Sequence, residues 1–316
     1  MKFLFQMDDP KKINIHEDST YLMIKESLSR GIKCFYCDPR WVYASLLKKT
    51  VIRARILPLR LNEDMTLDYS QNESEDIDLE TVRAVFVRQD PPFNLAYISN
   101  TYLLEKLKKP ILINSPSQIR NLPEKHIMMN FPQLTPPTLI SSDIFSILEF
   151  IKKNKDVVIK PAYGNGGLGI ERVNINKSNL KNFLQSYLKK FLYSPVIVQK
   201  FLKNYKKGDK RIILLNGKIM GAVLRVPKKN SIKANFHAGG SAKKTGLVFR
   251  DQQIIEALGS ELKKLDLFFV GIDIIGDYLT EINVTSPTGI KQINKLNNVK
   301  LEQIFWDQLE AKYKIV

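Results

Sequence analysis

Apolar residues in the first third of the chain fall in short runs separated by segments with helical spacing. Phe3–Met7 reads as a strand, and Ser19–Arg30 as a helix whose start is offered a cap by Asp18 or Ser19. Gly31 ends that helix, and Ile32–Tyr36 is a second strand. Ala84–Arg88 and Ile111–Asn114 read as further strands, with a Tyr97–Lys108 helix between them. Alternation of this kind predicts a parallel α/β sheet. Such a sheet lines its ligand crevice with the C-terminal ends of its strands. Asp8-Asp9-Pro10, the stretch from Arg88 to Phe93, and Asn114-Ser115-Pro116 stand at those ends. A guanidinium there suits a substrate carboxylate, so Arg88 reads equally as a binding residue or as an arginine in a turn.

The pattern changes near residue 120. A helical turn at Glu124–Asn130 and a proline-rich stretch, Pro132 to Pro137, lead into strand–loop–strand units with the look of antiparallel hairpins. The expected architecture is therefore α/β, with a parallel domain over residues 1–120 and an α+β part over 121–316. Within the second part, Val157–Pro161 is a strand carrying Lys160, and Ile170–Val173 is another. Between them runs Gly164-Asn165-Gly166-Gly167-Leu168-Gly169, whose backbone N–H groups can approach phosphate oxygens closely. The loop lacks the Gly-Lys-Ser/Thr ending of a Walker loop and the following helix of a dinucleotide fingerprint. A hairpin lid over a triphosphate, with Lys160 reaching the phosphates, fits the pattern; a glycine hairpin with no ligand is the plain alternative.

A second hairpin carries carboxylates. In Gly271 to Asn283, the apolar Ile272, Ile274, Ile282 and Val284 share one parity, and Asp273, Glu281 and Asn283 share the other. A three-residue turn at Gly276-Asp277-Tyr278 keeps both sets intact and puts Asp273 opposite Glu281. Facing carboxylates repel, and a divalent cation relieves that repulsion. An Asp/Glu/Asn oxygen set suits magnesium or manganese. A Lys or Arg neutralising the pair is the alternative.

Composition adds limits. The 316 residues are 44% hydrophobic and 26% charged, ordinary values for a soluble globular chain. The net charge of +17 comes from lysines scattered singly and in pairs such as Lys48-Lys49 and Lys243-Lys244, without interleaved aromatics. That pattern predicts a solvated surface rather than a nucleic-acid site. No apolar run spans a bilayer, so no membrane role and a cytoplasmic location are expected. Cys34 and Cys37 lack further metal-ligand partners and sit on a strand facing opposite ways, which makes them structural.

Together these segments resemble the ATP-grasp superfamily, and within it the bacterial glutathione synthetases. The likeness runs from Asn14-Ile15 and Asp18-Ser19 through Arg88, Asp90 to Phe93, Asn114, Glu124-Lys125 and Lys160-Pro161. It continues through the glycine loop, Gly208 to Arg211, Arg225-Val226-Pro227, Ala238-Gly239-Gly240 and Val270 to Asp277, and is most specific at Leu279 to Thr288. The resemblance implies two small sheets enclosing ATP, a lid portion at about 121–202 and a catalytic portion at about 203–316. Lys125, Lys160, Gly164, Gly166 and Gly167 would hold the phosphates, and Gln199, Lys200, Phe201 and Leu202 would face adenine. Asp209 and Lys210 would complete the nucleotide site. Asp273, Glu281 and Asn283 would hold magnesium, and Arg211 and Arg225 would stabilise an acyl phosphate. Arg88, Asn235, Gly239, Gly240, Ser286, Pro287 and Thr288 would contact substrate. The implied activity joins γ-glutamylcysteine to glycine with ATP, and the family also allows a homo-oligomer. Lys233 and Ser241 replace arginines usual in the family's mobile loop, and Gly289 stands where a larger residue is common. These departures leave open an ATP-grasp ligase joining a different carboxylate to a different amine.

Overall fold

The computed structural model describes residues 1–164, 166–229, 231, 234–236 and 239–314. The N-terminal elements are β1 (Lys2–Gln6), α1 (Ser19–Ser29), β2 (Lys33–Cys37), β3 (Val42–Leu46) and β4 (Thr50–Pro58). A short pair, β5 (Arg60–Leu61) and β6 (Leu67–Asp68), precedes β7 (Glu75–Asp78), β8 (Ala84–Val87), α2 (Leu95–Leu104), β9 (Ile111–Ile113) and α3 (Pro116–Asn121). Asp18, rather than Ser19, caps α1 by accepting from Tyr21 N at 2.6 Å.

The main sheet runs β3-β4-β2-β1-β8-β9, with β7 paired to β4. Its centre is parallel as expected, β1 lying between β2 and β8 and β8 pairing with β9. The expectation of a wholly parallel sheet is corrected at the other edge, where β4 pairs antiparallel with β2, β3 and β7. On β4 buried Ile52, Ala54 and Ile56 alternate with less buried Val51, Arg53 and Arg55. That period of two marks a half-solvated antiparallel strand, not a fully covered parallel one. On β2, Cys34 joins the core on one face of the sheet and Cys37 the core on the other. Both thiols are free, and burial pushes that of Cys34 up to about 12.

Two antiparallel sheets follow. β10 (Thr138–Ser141), α4 (Ile144–Asn154), β11 (Asp156–Pro161), β12 (Glu171–Asn174), α5 (Leu180–Lys190) and β13 (Val196–Lys200) form a layer with strand order β10-β13-β11-β12. β14 (Asp209–Leu215), β15 (Lys218–Val226), β16 (Ser241–Lys243), α6 (Phe249–Lys264), β17 (Phe269–Ile275) and β18 (Tyr278–Asn283) form the other, in order β16-β15-β14-β17-β18. α7 (Ile290–Asn297) and α8 (Leu301–Tyr313) come last. Among the described residues no helix is long and apolar enough to cross a membrane.

α8 returns to the first sheet. Its Phe305, Trp306 and Leu309 are buried in one cluster with Phe3, Phe5, Met23 and Phe86, and Trp306 Nε1 donates to Met23 O at 2.8 Å. Asn114, at the end of β9, ties the parts together from inside. Its Nδ2 donates to Phe269 O (2.7 Å) and Val284 O (2.8 Å), and its Oδ1 accepts from Phe269 N (2.8 Å). The strand-end asparagine is thus a staple rather than a crevice residue. Removing it leaves three buried backbone groups unpaired, so Asn114→Ala should lower unfolding free energy by about 3 kcal/mol in urea titrations. A loss below about 0.5 kcal/mol would contradict the staple.

Candidate active site

Parity and strand ends bring the chemistry into one cavity of about 560 Å³. Lys160 arrives from the end of β11, and Gln199 and Lys200 from the end of β13, with Phe201 and Leu202 just beyond. β14 supplies Asp209 and Arg211, β15 supplies Arg225, β17 supplies Asp273, and β18 supplies Glu281 and Asn283. Lys125, Gly164, Gly166, Gly167, Asn235 and the Ser286-Pro287-Thr288 loop complete the wall. Gly166 and Gly167 both have positive φ, 60° and 76°, which glycine adopts without strain.

Across the antiparallel strands, Asp209 lies opposite Arg225, Arg211 opposite Asp273, and Asp273 opposite Glu281. Residues so paired share one face. The Asp273–Glu281 pairing is the expected one, but the turn that produces it differs. Ile275 pairs with Tyr278, leaving a two-residue turn at Gly276-Asp277, and the extra residue enters as a bulge between Asp273 and Ile274 on one side and Leu279 and Glu281 on the other. Thr280 occupies the bulge, and its hydroxyl donates to Asp273 O at 3.1 Å. The bulge turns Leu279 into the core beside Ile272, Ile274 and Ile282.

Buried charges dominate the site. Asp273 is clasped by Arg211 (Nη2 to Oδ2, 2.9 Å) and Arg225 (Nη2 to Oδ2, 2.9 Å), and Arg225 also pairs with Asp209. Burial alone would push the Asp273 carboxyl up, yet these two guanidiniums hold it well below the ordinary carboxylate range. The Lys or Arg neutralisation expected as the alternative for this hairpin is seen at both carboxylates, arginines at Asp273 and Lys125 at Glu281. Lys125 pairs with Glu281 at 3.1 Å and donates to Gly164 O, linking the ligand strand to the glycine loop. Lys160 is buried with only long contacts, to Gln199 Oε1 at 3.5 Å and Thr280 O at 3.4 Å, and burial lowers its pKa. A buried ammonium so weakly bonded is suited to an anion entering the cavity.

Glu124 is a cavity residue that sequence reasoning did not single out. Burial, reinforced by nearby Glu281, pushes its carboxyl up to about 7, and burial pushes that of Asp209 up to about 6 against the pull of Arg225. The only signal for Glu124 was its place beside Lys125. Asn283 can place its amide in two ways. With nitrogen toward Gly271 O (3.3 Å) and Asp273 Oδ2 (3.4 Å), its oxygen abuts the Glu124 carboxylate. Reversed, nitrogen donates to Glu124 Oε1 (3.2 Å) and oxygen accepts from Arg211 Nη2 (3.1 Å). The reversed form makes shorter bonds, both to charged partners, and is the favoured one.

Several expected contacts are relocated. Lys210 lies one position from Asp209 and Arg211, so the period of two turns it to the opposite face of β14. There it pairs with Asp251 and donates to Gly246 O, away from the cavity that Asp209 and Arg211 line. Arg88 lies under the cavity wall, donating Nε to Thr20 Oγ1 (2.9 Å) and Nη2 to Pro287 O (3.3 Å), so it props the Ser286-Pro287-Thr288 loop from below. Gly239 and Gly240 shape a turn by donating to Phe236 O (2.8 Å) and Asn235 O (3.1 Å) rather than lining the cavity. Gly289 has φ 128°, which explains glycine there. Ser241 opens β16, paired with Val226; Lys233 lies outside the described residues. A second cavity, of about 540 Å³, shares Asp90, Phe236 and Thr288 with the first. It opens at the C-terminal ends of β1, β2 and β8, where Asp8, Asp38 and Gln89 line it.

Residues 1–120 match the prokaryotic glutathione synthetase N-terminal domain, and residues 124–298 the prokaryotic glutathione synthetase ATP-grasp domain. The chain belongs to the prokaryotic glutathione synthetase family. The glutathione synthetase of Agrobacterium fabrum is 39% identical over 308 residues, covering 97% of this chain and 95% of that protein. That of Mesorhizobium japonicum is 38% identical over 315 residues, 99% of each. Among solved structures, D-alanyl-alanine synthetase A of Vibrio cholerae superposes with a TM-score of 0.64 at 15% identity, covering 100% of this chain and 99% of that one. A RiPP-associated ATP-grasp ligase of Chryseobacterium gregarium, solved in complex with ADP and a leader and core peptide, gives 0.64 at 15% identity over 98% and 97%. These structures share the fold; the family makes this chain an ATP-dependent ligase.

Two measurements follow from the charges. Glu124 ionises near 4.5 in an unfolded chain but near about 7 when buried, so folding is disfavoured as pH rises through that window. In the unliganded enzyme, Glu124→Gln should therefore gain Tm relative to the parent between about pH 5 and about pH 8. An offset that stays constant with pH would show that ionising Glu124 carries no burial cost. Lys210→Met should keep ADP affinity within about twofold while stranding Asp251 at a cost of roughly 3 kcal/mol in urea. Tenfold weaker ADP binding by calorimetry, at unchanged stability, would return Lys210 to the nucleotide.

Proposed function

We propose that this ligase joins the glycyl-accepting carboxylate of γ-glutamylcysteine to the amine of glycine, making glutathione, ADP and phosphate. The observation that carries this reading is Lys160, a buried ammonium with long contacts, set beside the carboxylate hairpin at Thr280 O and lining a cavity edged by glycines. Lys125 and Lys160 neutralise the ATP phosphates, with Gly164, Gly166 and Gly167 above them. Gln199 to Leu202 border the base, and Asp209 the polar part of the nucleoside. Residues 1–120 serve as the substrate-binding domain and 121–316 as the ATP-grasp domain. The dipeptide has room in the adjoining cavity, with Ser286, Pro287, Thr288 and Asn235 between it and the nucleotide.

Asp273, Glu281 and Asn283 are all-oxygen donors on one face, and the crowding of Glu124 against Glu281 supports a cation there. They fit magnesium in kind, with Asp273 released as its guanidiniums turn toward substrate. Bound there, the ion would neutralise phosphate charge. The γ-phosphoryl group passes to the dipeptide carboxylate as ADP leaves. The glycine amine then attacks the carbonyl carbon, a proton is lost, and phosphate departs. Positioning and charge neutralisation do most of this work. Arg211 and Arg225, already aimed into the cavity, take the developing acyl-phosphate charge once they release Asp273. Two buried, unbridged cysteines accord with a reducing cytoplasm.

ADP release with γ-glutamylcysteine and glycine, set beside a panel of other acid–amine pairs, tests the assignment. That pair should give the highest kcat/KM, and Lys160→Ala, Asp273→Ala and Glu281→Ala should each lower it by roughly a hundredfold or more. Faster ADP release with another pair would replace the substrates and keep the ligase. Fully active Asp273→Ala and Glu281→Ala enzymes would remove the metal reading.

A further inference from the structure

Glu124 enters the cavity wall yet touches the site through other residues. Its backbone oxygen accepts from Ile282 N at 3.1 Å, which fixes the main chain against β18. Its Oε1 accepts from Thr285 Oγ1 at 3.3 Å, just past the end of that strand. The next residue, Lys125, holds Glu281 at 3.1 Å. Residues 124 and 125 thus grip β18 and its exit at three positions, Glu281, Ile282 and Thr285, and the Glu124 carboxyl has little freedom left.

An asparagine amide is nearly symmetric in shape, so packing does not choose which end is oxygen; hydrogen-bond partners do. Asn283 is buried, and the deciding partner is Glu124 Oε1, which accepts at 3.2 Å only when nitrogen faces it. The oxygen is then left on the side of Arg211 and Asp273. Reversed, the amide would offer N–H groups to a cation that Asp273 and Glu281 attract. We propose that Glu124 is a positioning residue that locks the Asn283 amide with its oxygen toward the Asp273 side, as a ligand to a divalent cation must be. This inference rests on the reading of Asp273, Glu281 and Asn283 as the metal set. Partners that orient a ligand in this way commonly carry a tenfold to hundredfold share of metal affinity.

Two neutral variants isolate the hydrogen bond from the charge. Glu124→Gln keeps an acceptor oxygen in place, and Glu124→Met fills similar space without one. Mn2+ titrated into the protein–ADP complex and followed by electron paramagnetic resonance reads affinity directly, with no turnover. The methionine variant should bind Mn2+ roughly tenfold or more weakly than the glutamine variant. Equal affinities in the two would overturn the proposal, since loss of charge is common to both. Glu124→Ala, with the same expectation, serves if the methionine variant does not fold. Asn283→Ala separates the two layers of the argument. If it weakens Mn2+ while methionine and glutamine at 124 bind alike, only the positioning role falls; if it leaves Mn2+ binding unchanged, the metal assignment falls with it.

Discussion

Asp273 is held by two guanidiniums in a place where water cannot compensate any of the three charges. Buried ions of this kind are tolerated only when each is met by partners of opposite sign and good geometry. Arg211 and Arg225 come from β14 and β15, Asp273 from β17, and Asp209 closes the set from β14. The registers of three strands are therefore bound to one electrostatic requirement. A slip of one residue in any of them would bury an unpaired charge and expose the isoleucines behind it. The wall of the cavity and the order of the sheet are the same constraint seen from two sides.

The rest of the site follows from what that clasp leaves unmet. Glu281 finds Lys125, and Lys125 reaches on to the glycine loop, so the hairpin and the lid share a cation. Among the described residues Lys160 has no carboxylate within bonding distance, and its buried ammonium lines the cavity. Glu124 is left with a carboxyl crowded by Glu281. On the proposed function, an incoming polyanion would meet the charge of the lysines and the proposed cation would relieve the crowded carboxylates.

Much of this is legible in the amino-acid sequence. Period two in Ile272 to Val284 was enough to pair Asp273 with Glu281, because burial of one face fixes register. The turn was not legible in the same way. A three-residue turn and a two-residue turn with a bulge at Thr280 give the same pairing, and only backbone geometry separates them. Lys210 could have been excluded by the same parity that admitted Asp209 and Arg211; the family motif drew it in as part of a contiguous segment. Arg88 was located at the right strand end, but its burial beneath Pro287 depends on packing between distant parts of the chain. The antiparallel edge at β3, β4 and β7 is harder to read, because β3 and β7 are short and mostly exposed and only β4 shows a clear period of two. Glu124 had no pattern to announce it, since its role arises from an asparagine far along the sequence.

The packing of α8 against β1 and β8 has a bearing on how the molecule is made. Synthesis delivers Phe3, Phe5 and Phe86 early and Phe305 and Trp306 late, yet all of them share one core. On the ribosome the first sheet keeps that face only partly covered, by α1, while the two antiparallel sheets emerge. Chains usually complete their domains in the order they are translated. Here β1 and β8 are sealed by a helix far later in the chain, so part of their aromatic surface stays open until α8 has been made.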